Sequence, residues 1–252
     1  MSLTLTPLAE VPHVQSGDDL AAIILDALDA TRITLHEGDI LVLAQKIVSK
    51  SEGRMVDLAT VRPSPRAIDL AKQAQKDPRV VELILAESAD IVRTRPGLIV
   101  VEHKLGFICA NAGIDHSNVQ SEGAEQVLLL PENPSLSAEK LCQHIEADTG
   151  LKIGVLIIDS HGRAWRLGIV GVAIGFSRIP GVADLRGQPD MFGRILESTQ
   201  VGVADELAAA ASLMMGQAAE GTPVVHARGF PYPLRGGKLN ELIRPKDEDL
   251  FR

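Results

Sequence analysis

The run Leu151-Lys-Ile-Gly-Val-Leu-Ile-Ile158 is short, apolar and rich in β-branched residues, and it stops at Asp159-Ser160-His161-Gly162-Arg163. Such residues suit a pleated, buried surface, so the run predicts a core strand whose end presents a carboxylate, a hydroxyl and a turn glycine. The same design occurs earlier in the chain. Gly97-Leu-Ile-Val-Val-Glu102 leads towards Phe107-Ile-Cys-Ala-Asn-Ala-Gly-Ile-Asp-His-Ser-Asn-Val119, where Asn111, Gly113, Asp115, His116, Ser117 and Asn118 are poor strand formers. Asn and Gly accept the left-handed backbone of a tight turn, and loops on a rigid scaffold can aim side chains at a ligand. Either aspartate alone could simply close a turn. Two strand-end aspartates far apart in sequence can instead converge on one divalent ion. Each then gives a hard oxygen to Mg²⁺ or Mn²⁺, and a nucleotide phosphate completes the shell. The repeated design favours a metal site.

At 252 residues the chain can bury one large core or two small ones. Aromatics make up 3% of it, too few for the stacking platforms that bind single-stranded nucleic acid, and a net charge of −8 disfavours phosphate backbones. The two cysteines, Cys109 and Cys142, have neither metal-ligand nor disulfide-framework spacing, and Cys109 reads as a small core residue. No basic region followed by a long apolar core opens the chain, and no apolar run reaches ~18 residues. A cytoplasmic location without a membrane span is the expectation.

In chain order, Leu3–Pro7 alternates like a strand, and Val11-Pro12-His13-Val14 follows as an extended segment. Ser16-Gly17-Asp18-Asp19 supplies cap chemistry for a helix from about Leu20 to Ala30. Ile40–Ala44 reads as a buried strand. Gln45–Arg54 follows as a loop in which Lys46, Lys50 and Arg54 surround Ser49, Ser51 and Gly53, either a solvated turn or a phosphate cradle. Helices are expected over 65–74, 78–86, 138–150 (capped by Ser137) and 201–215, with strands over 91–95, 124–130 and 223–228. Arg163–Phe176 has glycines at 168, 171 and 175 without GxGxxG spacing, which suits strands with close backbone approach or a tightly packed helix. Arg163 and Arg166 beside Trp165 suggest an anion-binding edge. Residues 180–189 read as a long loop and the end of the chain, 236–252, as a mobile tail after a single domain over 1–235.

The sequence contains no GxxxxGK[ST] loop. Two aspartates, a Lys/Ser/Gly segment and a late Gln217–Glu220 loop are the parts available. They suit phosphoryl transfer, which needs charge neutralisation and alignment more than a covalent residue. His116 and His161 each lie next to a proposed ligand and could act as acid–base groups, though a supporting or surface role fits as well.

The chain resembles the coenzyme F420:L-glutamate ligase family, the F420-0:gamma-glutamyl ligases. The resemblance rests on Gly17-Asp-Asp-Leu20, Gly38-Asp39, Ile47-Val-Ser-Lys-Ser-Glu-Gly-Arg54, Ala110-Asn-Ala-Gly-Ile-Asp115 with Ser117-Asn118-Val119, Asp159-Ser-His-Gly-Arg163 and Met215-Gly-Gln217. It spans residues 8 to 232. It implies a single-domain α+β protein with mixed and antiparallel sheets, packed helices and a ligase fold of its own, forming an intertwined homodimer. It also implies a GTP-dependent enzyme that adds L-glutamate to the lactyl carboxylate of the deazaflavin F420 precursor, extends it by gamma links, and works through an acyl phosphate. By motif, Asp115 and Asp159 would bind Mg²⁺ or Mn²⁺, with Ser160 reaching a second ion and K⁺ a further cation. Gln45, Lys50 and Asn118 would contact GTP, and Val11, Pro12, His13 and Val14 its guanine, where His13 departs from the family's usual apolar residue. Gln217 and the loop to Glu220 would close over the phosphates. The competing readings are a different metal-dependent amide-bond ligase and a nucleotide-binding module without turnover.

Overall fold

The computed structural model describes residues 2–116 and 125–249. Its centre is a mixed sheet in which β1 (Thr4–Pro7), β12 (Val224–Arg228), β2 (Ile40–Ala44), β8 (Gly154–Arg163) and β9 (Arg166–Ser177) lie side by side in that order. Neighbours are antiparallel except β2 and β8, which run parallel. Parallel strands need both faces covered, and the alternation of side chains delivers this. Leu41, Leu43, Val155 and Ile157 point into a core beneath α1 (Leu20–Ala30) and α5 (Pro134–Thr149). Ile40, Val42, Leu156 and Ile158 point the other way, against α6 (Val203–Met215). Each fully buried Leu or Ile contributes about 1.5–3 kcal/mol, so a one-residue slip of either strand is strongly disfavoured.

A third core joins the elements between. Here α2 (Gln45–Ser51) leads to β3 (Met55–Asp57), α3 (Pro65–Ala74) and α4 (Pro78–Glu87). A three-stranded antiparallel sheet follows, made of β4 (Ser88–Arg95), β5 (Leu98–His103) and β6 (Ile108–Ala110), and β7 (Gln126–Leu128) returns to pair with β3. The alanine stripe Ala67, Ala71 and Ala74 lets α3 settle close to this core beside Val81, Ile84, Ile99 and Val101. The chain is therefore α+β with mixed and antiparallel sheets, as expected.

Several local readings change. Gln45–Ser51 is a short helix where a loop was expected, because burial of Ile47 and Val48 in the first core organises it. α5 starts at Pro134, not after Ser137. Asn133 caps it by accepting from the Leu136 N–H at 3.0 Å, and proline fits a first position that needs no N–H. Residues 166–177 form one long strand, which decides between the two readings of the glycine-rich run. The long loop after Pro180 contains β10 (Ala183–Asp184), which pairs with β11 (Gln200–Val201). Along the expected tail, Leu239 is buried, Glu241 pairs with Arg235 at 2.8 Å, and Lys246 reaches Glu102 at 2.8 Å. No helix among the described residues is long and apolar enough to cross a membrane.

Candidate functional site

The β2–β8 ladder stops at Ala44 opposite Ile158, but β8 does not end there. Asp159 to Arg163, expected to follow the strand, continue it in pairing with β9, so Asp159 is a mid-strand residue just beyond the end of β2, beside Gln45. Asp115 is brought there by an unusual turn. Asn111, Ala112 and Gly113 all take left-handed backbone, at φ 50°, 54° and 66°. An alanine in that region is strained by about 1–2 kcal/mol, and packing of Ala112 in the third core holds it there. A side chain at Gly113 would meet Leu130 at 2.7 Å. The turn ends where Asp115 and Leu128 exchange backbone hydrogen bonds, both 2.9 Å, which fixes the carboxylate's origin.

The Asp115 carboxylate accepts from Gln45 Nε2 at 2.8 Å, and Lys46 Nζ stands 3.4 Å from its other oxygen. Ser49 donates to Gln45 Oε1 at 2.9 Å, which orients that buried amide. Burial pushes the Asp115 carboxyl above the usual carboxylate range; Lys46 pulls it back and the charge of Asp159 adds to the rise. The charge of Asp159 thus disfavours a second anion at Asp115, a repulsion that a bound cation would relieve. Asp159 is itself almost covered, its side chain 13% exposed, and hydrogen-bonded to His161 Nε2 at 3.1 Å.

Ser160 donates to Gln217 Oε1 at 2.8 Å, and Gln217 Nε2 donates to Ser212 at 2.9 Å. Glycine makes this chain of bonds possible. Ser160 pairs with Gly171, where an added Cβ would lie 2.5 Å from the Ala208 carbonyl oxygen, so only glycine lets α6 press against β9. Asp205 was missed in the sequence, as was Ser212. Asp205 accepts from the Ala173 N–H at 2.9 Å, and burial pushes its carboxyl up while the nearby His161 opposes this. Their spacing of seven residues, two helical turns on one face, was the available signal.

The other expected site residues divide. Val14 is buried and Val11 half-buried, while Pro12 and His13 are exposed. The turn after them docks on the end of α2, Gly17 N–H donating to Ser51 O at 2.9 Å, close in sequence to Lys50. Partial burial, then the charge of Lys46, holds the Lys50 ammonium below its usual range. Glu220 turns back on its own loop and accepts from the Ala218 N–H at 2.8 Å. Arg54 does not join the basic cluster: it donates to Leu130 O and Glu87, both at 2.8 Å, and ties two segments together. His116 is exposed, and Arg163 donates to Leu167 O within the β8–β9 hairpin. Asn118 lies outside the described residues. Among the described residues no three His, Cys, Asp or Glu side chains gather at one point. The hard oxygen donors near this sheet end are the two carboxylates and the Ser160 hydroxyl, a chemistry suited to Mg²⁺ or Mn²⁺.

Comparison with known proteins agrees on one family. The F420-0:Gamma-glutamyl ligase family matches residues 9–229. A coenzyme F420:L-glutamate ligase of Methanothermobacter thermautotrophicus is 46% identical over 254 aligned positions, covering 100% of both chains. The protein of the same name from Methanocaldococcus jannaschii is 45% identical, covering 96% of this chain and 94% of its own. That from Archaeoglobus fulgidus is 40% identical, covering 100% and 97%.

Proposed function

The chain belongs to the F420-0:gamma-glutamyl ligase family, and from that premise we propose that it is a GTP-dependent ligase. It joins L-glutamate to the lactyl carboxylate of the deazaflavin F420 precursor, adds further glutamate through gamma links, and works in the cytoplasm. The observation that carries this reading is the Asp115 carboxylate held by Gln45 and Lys46 just past the end of β2, with the charge of Asp159 on the neighbouring β8 acting on it.

Asp115, Asp159 and Ser160 would hold two Mg²⁺ or Mn²⁺ ions, with K⁺ as a further cation, which neutralise charge on the transferred phosphoryl group. Lys50 offsets phosphate charge, with Gln45 and Asn118 as further nucleotide contacts. Val11–Val14 faces the guanine, and the Gln217–Glu220 loop closes over the phosphates. Neither cysteine supplies a nucleophile: burial pushes the thiols of Cys109 and Cys142 up to about 12 and about 11. The activated group is then the substrate's own carboxylate. Its oxygen attacks the γ-phosphorus as GDP leaves, giving an acyl phosphate. The glutamate amine next attacks the acyl carbon, phosphate departs and the amine's proton is lost to solvent.

A homodimer forms part of the proposal. Trp165 and Leu167 at the β8–β9 tip, Met191 and Phe192 in the following arm, and Leu213 on α6 are large, apolar and 84–98% exposed, a surface that a second copy would cover.

Incubation with GTP, Mn²⁺, glutamate and the ¹⁸O-carboxylate precursor tests the chemistry. A glutamyl mass gain with label in the released phosphate is expected. Label confined to the amide product excludes the acyl phosphate, and no mass gain excludes the ligase.

A further inference from the structure

Phe107 is the one side chain that packs against all three hydrophobic cores among the described residues. The hairpin that delivers it is tightly fixed. His103 N–H donates to Phe107 O at 2.9 Å, Gly106 N–H donates to His103 O at 2.8 Å, and Gly106 takes a positive φ of 96° that a side chain would resist. An added Cβ at Gly106 would lie 3.0 Å from Ile243 Cδ1, so the chain's C-terminal segment closes down on the same turn.

On one side the Phe107 ring stacks on buried His103, centroids 5.2 Å apart and planes 10° from parallel. His103 Nδ1 accepts from the Leu105 N–H at 3.1 Å, which leaves the ring proton on Nε2. That Nε2 has no hydrogen-bond partner, a cost of about 1–3 kcal/mol that an apolar residue would avoid. Phe107 also meets His161, centroids 5.3 Å apart and tilted by 53°, and His161 Nε2 is bonded to Asp159. Two supports thus hold the imidazole: the Phe107 ring at the three-core junction and the hydrogen bond to Asp159 within β8.

We propose that Phe107 is a positioning residue, its ring held by His103 and the three cores so that it fixes His161, which in turn fixes Asp159 for metal binding. The inference rests on the metal role given to Asp159 above. Removing an outer partner of this kind lowers metal affinity without removing a ligand. Phe107 acts here through His161, so the effects of the two residues overlap and do not add.

The test is a double-mutant cycle read as Mn²⁺ affinity by electron paramagnetic resonance of free Mn²⁺, with no turnover involved. Phe107→Leu is expected to weaken Mn²⁺ about tenfold, as loss of such a supporting partner does. Phe107→Tyr, which keeps the ring, stays within about twofold, and Phe107→Leu added to His161→Gln weakens binding no further. Phe107→Met, a flexible apolar filler, carries the leucine variant's expectation if that variant does not fold. Parental affinity in the leucine or methionine variant, or additive losses in the double variant, overturns the inference and leaves the metal site standing. Unchanged Mn²⁺ affinity in Asp159→Asn overturns the metal reading and this inference with it.

Discussion

Strand β2 has a carboxylate at each end, one buried and one half-buried, and the two are treated in opposite ways. At its start Asp39 is 2% exposed and fully engaged. Arg228 grips both of its oxygens at 2.9 and 2.6 Å, His226 Nε2 lies 2.8 Å away, and the His36 N–H donates at 2.8 Å. Burial pushes its carboxyl up, but the bonds from Arg228 and His226 outweigh this and hold it below the usual range. At the other end, about 17 Å away for five extended residues, Gln45 and Lys46 meet Asp115, whose carboxyl stays raised beside Asp159. A carboxylate whose lone pairs are all used by fixed partners serves the fold. One that remains under-neutralised next to a second carboxylate serves a ligand.

The largest expected effect lies at the under-neutralised end. Asp115→Asn and Asp159→Asn should each lower glutamyl addition by about a thousandfold or more, as loss of metal-borne charge stabilisation does. Their melting temperature by circular dichroism should be equal to or above the parent's, because a like-charge conflict is removed. A fall in melting temperature with turnover intact would reverse the comparison. Asp39→Asn should do the opposite. It leaves Arg228 and His226 without their anion and should cost about 2–3 kcal/mol in urea unfolding, moderated by the partial exposure of Arg228. Turnover per folded molecule should stay within about twofold of the parent's, since Asp39 touches no part of the proposed site.

Lys50→Ala sharpens the active end further. Calorimetry should show GTP binding weakened about tenfold, with glutamate binding unchanged, if Lys50 offsets phosphate charge. Equal GTP affinity would reduce it to an ordinary helix residue.

The smallest effect is a pH dependence with a definite sign. Asp39 has a folded value below its ordinary 3.8, so its stabilising contribution is complete above 3.8 and is lost as pH falls through the lower folded value. The stability gap between the parent and Asp39→Asn should hold constant down to about pH 5 and narrow only as pH falls below 3.8. A gap that instead opened on acidification would show Asp39 to be the strained carboxylate of the pair.

By itself the sequence determined the local pieces. Short continuous apolar runs with β-branched residues mark β2 and the start of β8, Asp19 caps α1 at 2.9 and 3.2 Å, and the polar break after Ala110 marks the left-handed turn at Asn111 and Gly113. Polar breaks after apolar runs singled out Asp115, Asp159 and Ser160 as candidates, and the family motifs gave them and Gln217 their proposed roles, because residue type and spacing are properties of the chain. Tertiary structure decided which pieces meet. It made Gln45–Ser51 a helix through the burial of Ile47 and Val48, moved Arg54 from the basic cluster to Glu87, and used the missing side chain of Gly171 to bring Gln217 to Ser160. It also separated Gly38-Asp39 from the site, although both belong to the motif set. Burial, ion pairing and close backbone approach depend on distances between residues remote in the chain, and no local pattern encodes those distances. The Phe107 junction is the extreme case: a lone aromatic in a polar-edged turn acquires its role only where three cores close around it.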